Sequence, residues 1–134
     1  MRSMKLEIHE EFRKAFGLIE KSRHHVFVTG YAGTGKSTFL RFLKWKTKKK
    51  YVVLAPTGVA AVNVAGETLH SFFRIHPGTT IDDIPELVKS YSKMKKNLMK
   101  EIEMIVIDEI SMVRADVMDM IDTILRLVLK SSAP

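Results

Sequence analysis

The stretch His25-Val26-Phe27-Val28-Thr29 runs directly into Gly30-Tyr31-Ala32-Gly33-Thr34-Gly35-Lys36-Ser37, and Lys36 to Lys46 follows with Phe39, Leu40, Phe42 and Leu43 on one side. A short apolar, β-branched run, then glycines, then a 3.6-period pattern predicts strand, turn and helix. The turn fits G-x-x-x-x-G-K-[ST], the phosphate-loop pattern, in the context that pattern requires. Glycines at 30, 33 and 35 let the backbone turn tightly and aim N–H groups at phosphate oxygens. The helix that opens from the loop favours negative charge at its start. Lys36 would neutralise the β- and γ-phosphates, and the Ser37 hydroxyl would ligate Mg²⁺. The candidate nucleotide contacts are Gly30, Ala32, Gly33, Thr34, Gly35, Lys36, Ser37 and Thr38.

Working outward, Tyr51 to Ala55 (YVVLA) is a second buried strand, stopped by Pro56, and Met104 to Ile107 (MIVI) a third. Glu7 to Lys21 reads as a helix through Leu6, Phe12, Phe16 and Ile19. Thr57 to Val64 forms a short helix capped by Thr57, and Leu69 to Phe73 a further helical turn. Asp82 to Lys89 starts on an Asp cap and an early Pro85. Ser90 to Lys100 shows no helical periodicity and is expected to be mobile. Ala115 to Leu129 is amphipathic, with Val117, Met120, Ile121, Ile124, Leu125 and Val128 on one side. Alternating strands and helices predict an α/β fold with a parallel sheet.

The third strand ends in Asp108-Glu109. An aspartate at a strand end is where Mg²⁺ is ordered in phosphate-loop enzymes, and Glu109 is placed to take a proton from an attacking water. Lys36, Asp108 and Glu109 are therefore the candidate catalytic residues, Ser37 and Asp108 the candidate Mg²⁺ ligands, and ATP the expected nucleotide.

The 134 residues carry 46% hydrophobic and 28% charged residues and no cysteine. That length is one domain's worth and buries a sufficient core without staples. The absence of cysteine excludes a disulfide scaffold, a thiol nucleophile and a Cys-ligated metal. No apolar run approaches the ~18 residues of a membrane span. The first residues turn acidic where a signal peptide is apolar, so an intracellular protein is expected. Residues 1–100 hold 19 Lys/Arg and 8 Asp/Glu, and residues 101–134 hold 3 and 7. A basic body with an acidic last quarter suggests a polyanionic partner, most simply nucleic acid.

After the second strand comes Ala55-Pro56-Thr57-Gly58-Val59-Ala60-Ala61, then Thr68-Leu69-His70-Ser71-Phe72-Phe73. The carboxyl ends of parallel strands are where such sheets bind ligands. Thr57, Gly58, Asn63, Thr68 and Ser71 offer hydrogen bonds to a phosphate backbone, and His70 or Phe72 a surface for a base. Phe73 reads as core. Arg41 to Lys50 is a basic run in which Trp45 either stacks on nucleic acid or, the favoured reading, sits half buried at a solvated helix end. His24 and His25 read as surface or packing residues, and Met112, Met118 and Met120 as core filler.

The segments GYAGTGKST, APTGVAAVNVAGETLHSFF and VIDEISMVRAD, in this order and spacing, closely resemble the Pif-type DNA helicases of superfamily one, the RecD-like branch. The resemblance runs from Val26 to Leu129. It implies the first RecA-like motor domain of an ATP-driven translocase moving five-prime to three-prime on single-stranded DNA. By position it assigns Pro56, Thr57 and Gly58 to one DNA-contacting motif and Thr68, His70 and Phe72 to the next. Residues 1–23 would form an N-terminal helix and residues 24–134 the ATPase core, as one incomplete domain.

Two departures follow. The upstream glutamine that reads adenine in this class is missing, since the chain contains no glutamine. The family also continues to a sensor strand, a second RecA-like domain and γ-phosphate arginines. The sensor strand normally lies beside strand 25–29, so an open sheet edge and self-association through it are expected. A chain of this extent is expected to bind nucleotide, hydrolyse it weakly and not unwind DNA alone. The competing readings are a module that binds nucleotide or single-stranded DNA without turnover, and an AAA-type ATPase, against which Thr68 to Phe73 speaks.

Overall fold

The structure, a computed structural model, describes the backbone of residues 2–29 and 35–130 and the side chains of residues 10–29 and 35–130. The chain forms two compact units, Met1–Lys49 and Lys50–Pro134.

In the first unit α1 (Arg2–Lys21) and α2 (Lys36–Lys46) pair through rings. Phe12 lies 5.2 Å from Phe39 and 6.0 Å from Phe42, and Phe16 meets Phe42 edge-on at 5.6 Å. Tilted and edge-on rings at these distances favour the aromatic quadrupole. Polar bonds lock the carboxyl ends of the helices together. The Glu20 carboxylate accepts from Thr47 Oγ1 at 2.6 Å and from the Lys48 N–H at 2.8 Å, and Lys49 Nζ donates to the Ile19 carbonyl at 2.6 Å. The Thr47 hydrogen bond above all, with lysines 48 and 49 alongside, holds the Glu20 carboxyl below its ordinary value.

The strand expected at residues 25–29 does not form. The segment makes no ladder, and Phe27 is 72% exposed. An apolar run becomes a strand only when a neighbour takes up its N–H and C=O groups, and the sheet found among the described residues pairs only β2, β1 and β3. Trp45 is likewise not half buried but 80% exposed.

The second unit is built on a parallel sheet of β1 (Tyr51–Ala55), β2 (Glu67–Thr68) and β3 (Met104–Ile107), in the order β2-β1-β3. Leu54 faces Glu67 and Ala55 faces Thr68 on one side of β1; Tyr51 to Leu54 face Met104 to Ile107 on the other. The central strand accordingly buries Val53, Leu54 and Ala55. β2 comes close because Gly66 has no side chain: a Cβ there would sit 2.4 Å from the Val53 carbonyl oxygen. Between β1 and β2 runs α3 (Gly58–Asn63), and α4 (Leu69–Phe73) follows β2.

A 3-10 turn (Ile81–Asp83) then leads into α5 (Ile84–Ser90), α6 (Lys93–Glu101) precedes β3, and a second 3-10 turn (Ile110–Met112) precedes α7 (Ala115–Leu129). The core joins Leu54 of β1 to Leu69, Phe72 and Phe73 of α4, Ile84 and Val88 of α5, Met99 of α6 and the apolar side of α7.

Three local expectations change. Ser90 to Lys100 is not aperiodic: Ser92 Oγ accepts the Lys95 N–H and starts α6, which turns Met99 into the core. The Asp cap expected to open the helix at residues 82–89 makes no capping bond: α5 is flanked by Asp83, whose carboxylate instead accepts the Thr80 N–H at 2.8 Å and closes a capping box on the turn before it. Of the methionines read as core filler, Met120 is buried, whereas Met112 and Met118 are exposed.

Candidate functional site

The two halves of the predicted nucleotide site lie on different units. Gly30, Tyr31, Ala32, Gly33 and Thr34 lie outside the described residues. Gly35 is described, with φ at 91°, a left-handed conformation that suits glycine. The Phe39 N–H donates to the Gly35 carbonyl at 2.8 Å and closes the first turn of α2. The N–H groups of that turn have no intrahelical acceptor. Lys36, Ser37 and Thr38 are exposed there, and the turn contains no acidic residue. Among the described residues no acidic side chain of this turn competes with anionic oxygens for its N–H groups.

Asp108 continues β3 by one residue. Its N–H donates to the Leu54 carbonyl at 2.9 Å, which fixes the backbone beside the buried central strand, and its side chain is half buried. Glu109 is exposed and left-handed at φ 54°. Three other non-glycine residues share that conformation, Ala65, Arg74 and Lys130, each just after a helix. Glu109 instead leads into a turn, accepting the Met112 N–H at 3.0 Å on its carbonyl. Such backbone at a non-glycine residue costs about 1–3 kcal/mol and persists where its surroundings impose it. Neither carboxylate belongs to an ion pair found among the described residues. No group of three or more metal-binding side chains occurs among those residues either. A lone carboxylate suits Mg²⁺, which keeps several waters and is held by one or two carboxylates plus phosphates.

The predicted DNA-contacting residues gather at one end of the sheet. The register that sets Ala55 opposite Thr68 brings the exit of β1 next to the exit of β2. Pro56 ends β1. Thr57 caps α3, its Oγ1 accepting the Ala60 N–H at 3.2 Å, and Thr68 caps α4, its Oγ1 accepting the Ser71 N–H at 3.1 Å. A hydroxyl that accepts a capping bond keeps its own proton to donate. Gly58 is exposed, with nothing within 4 Å of where a Cβ would stand.

On α4, His70 and Ser71 are exposed while Leu69, Phe72 and Phe73 are buried. Phe72 thus has a different part from the stacking platform expected of it. It is 4% exposed, meets Phe73 edge-on at 4.9 Å, and carries Lys95 Nζ 3.9 Å above its ring. No open face remains for a base. Burial lowers the Lys95 ammonium from its ordinary value, with Glu67 opposing and Arg74 adding to the shift. Tyr91 completes the anchorage by donating its hydroxyl to the Phe73 carbonyl, and burial pushes that phenol up to about 12.

Beside His70 opens a cleft of about 360 Å³ whose walls include Pro56, His76, Pro77, Met112 and Arg114. The Arg114 guanidinium lies 3.3 Å from the Asp116 carboxylate on the rim. His76, Met112 and Arg114 were not singled out from the sequence as site residues. The available signal was Arg114 itself, a cation within the quoted VIDEISMVRAD segment.

A parallel sheet flanked by helices, with a glycine-opened helix and an acidic pair at a strand end, defines a RecA-like phosphate-loop fold. The PIF1-like helicase family model matches residues 7–134, and the chain belongs to that family. It is 40% identical over 126 residues to the ATP-dependent DNA helicase PIF1 of Emericella nidulans, covering 87% of this chain and 16% of that protein. It is 37% identical over 132 residues to the ATP-dependent DNA helicase RRM3 of Saccharomyces cerevisiae, covering 92% of this chain and 18% of that protein. Among solved structures, Pif1 helicase from Bacteroides in complex with ADP-AlF3 and ssDNA aligns with a TM-score of 0.83 and 47% identity, covering 93% of this chain and 29% of that one. The chain thus spans less than a fifth of the length of these two curated relatives. No helix among the described residues is long and apolar enough to cross a membrane.

Proposed function

We propose that this chain is the nucleotide-binding part of an ATP-driven DNA helicase that moves five-prime to three-prime on single-stranded DNA. Lys36 neutralises charge on the β- and γ-phosphates, helped by the free N–H groups of the first turn of α2. Ser37 offers a hydroxyl ligand to Mg²⁺, and Asp108 a carboxylate that orders the ion. Bound Mg²⁺ neutralises charge on the phosphate oxygens. Glu109 accepts the proton of the attacking water. A motor's chemistry is mostly positioning, which suits an Asp108 backbone pinned to the central strand.

Single-stranded DNA lies across the carboxyl end of the sheet. Pro56, Thr57 and Gly58 meet it at the exit of β1, and Thr68 and His70 at the start of α4. The observation that carries this reading is the pair of capping threonines at the exits of β1 and β2, which the register of Ala55 opposite Thr68 brings to one end of the sheet, with exposed His70 bordering a cleft. Phe72 serves by holding α4 in place, Lys95 covering its ring.

The test is binding of labelled oligo-dT by fluorescence anisotropy across a salt series. Affinity should fall linearly with salt on logarithmic axes, by about 0.7 per phosphate neutralised. Thr57→Val with Thr68→Val should cut affinity about tenfold, about the loss expected for two hydrogen bonds. His70→Ala should weaken binding further. Salt-independent binding, or full affinity in the double variant, would reject this path for the DNA.

A further inference from the structure

Helix α6 shows the solvent two unlike flanks. Lys93, Lys96 and Lys100, at i, i+3 and i+7, share one of them and span about 10 Å at 1.5 Å per residue. None of the three enters an ion pair found among the described residues, whereas Lys89 in the preceding helix is engaged with Glu86. Met94 and Leu98, at i and i+4, share the other flank and are 82% and 48% exposed. Asn97 lies between. The inward side is already used: Met99 is in the core and Lys95 covers Phe72.

Phosphate would explain the lysine flank alone. The exposed side of α6 has no arginine for a bidentate grip and no aromatic ring to stack on a base. It would leave a methionine and a leucine in water one helical turn apart. An apolar pair beside an unpaired cationic row matches a ligand with the reverse pattern, carboxylates beside apolar side chains. Methionine adapts its shape to such a partner.

We propose that α6 is a docking surface for an acidic amphipathic segment of a partner protein. Its carboxylates, at helical spacing, lie against Lys93, Lys96 and Lys100, and its apolar side chains cover Met94 and Leu98.

The experiment titrates the full chain against a labelled synthetic peptide with glutamates on one helical flank and leucines on the next. A peptide of the same composition in shuffled order, and oligo-dT, are run in parallel. Saturable binding of the patterned peptide is expected. Met94→Ser with Leu98→Ser should weaken it at least about tenfold, as hot-spot removal does. Lys93→Glu, Lys96→Glu and Lys100→Glu together should abolish it, and that protein should instead bind a peptide with lysines in place of the glutamates. The charge swap also shows that the reversed protein is folded; circular dichroism does so for the serine variant, with Met94→Gln and Leu98→Gln in its place if it unfolds. Equal binding of the shuffled peptide, or unchanged binding after loss of Met94 and Leu98, overturns the proposal. So does an absence of peptide binding with oligo-dT affinity lost on charge reversal, which would make α6 a nucleic-acid contact.

Discussion

His25-Val26-Phe27-Val28-Thr29 and Tyr51-Val52-Val53-Leu54-Ala55 are five-residue runs of similar apolar, β-branched character, and they have opposite fates. The second lies between two parallel neighbours and buries Leu54 and Ala55 completely. The first pairs with nothing described and exposes Phe27. Composition gives a segment the capacity to be a strand, and hydrogen-bonded neighbours make it one. The same contrast holds between the units around them. Among the described residues, Met1–Lys49 shows an aromatic cluster and polar bonds between helix ends, whereas Lys50–Pro134 shows a sheet and a continuous core.

Truncating each run breaks or upholds that contrast. Leu54→Ala should cost about 2–5 kcal/mol in urea unfolding, the usual range for a buried leucine. Phe27→Ala should stay within about 0.5 kcal/mol, as for exposed sites. Equal losses would mean that the first run is buried after all. Gly66→Ala sharpens the point about neighbours. A methyl 2.4 Å from the Val53 carbonyl oxygen forces β2 away from β1 and should cost about 2–3 kcal/mol. A fully stable Gly66→Ala protein would show that the β1–β2 approach is loose.

Tyr91→Phe removes the donor to the Phe73 carbonyl and should cost about 1–2 kcal/mol. It also has a pH signature. The folded phenol is pushed up to about 12 against an ordinary 10, so the folded state holds its proton where the unfolded state has lost it. Stability should be intact below pH 10 and fall as pH rises from 10 towards 12, and this decline should be absent in Tyr91→Phe. A wild-type protein with a flat profile there would place Tyr91 in water.

The smallest effect belongs to the first unit. Glu20 is held below its ordinary 4.5, chiefly by the Thr47 hydroxyl, so its contribution is present above that value and is lost as pH falls through the lowered one. Glu20→Gln should remove that acid-side loss with little change at neutral pH, read from thermal midpoints against pH.

Much of this was legible in the sequence, for reasons that differ by element. The bounds of α2, β1 and α7 follow from dense apolar patterns and clear stops such as Pro56. Thr57 announced α3 because a cap is a local device. β2 was hidden because it is two residues long and owes its existence to register with β1. α6 was hidden because two of its apolar residues, Met94 and Leu98, face solvent and blur the period set by Met99. At the site, residue types and spacing pointed to Lys36, Ser37, Asp108 and Glu109, whose chemistry is local. The burial of Phe72 under Lys95 and the place of Arg114 on the cleft depend on distant packing, which spacing does not reveal.

The most direct test of the central claim, that this chain carries a working phosphate-loop site, is equilibrium binding of a fluorescent ATP analogue with and without Mg²⁺, for the wild-type chain and for Lys36→Ala. The account predicts saturable binding that Mg²⁺ strengthens and that Lys36→Ala weakens at least about tenfold, the loss of a charge-assisted contact. Equal affinity in the two proteins, or no binding by the wild-type chain, would contradict it.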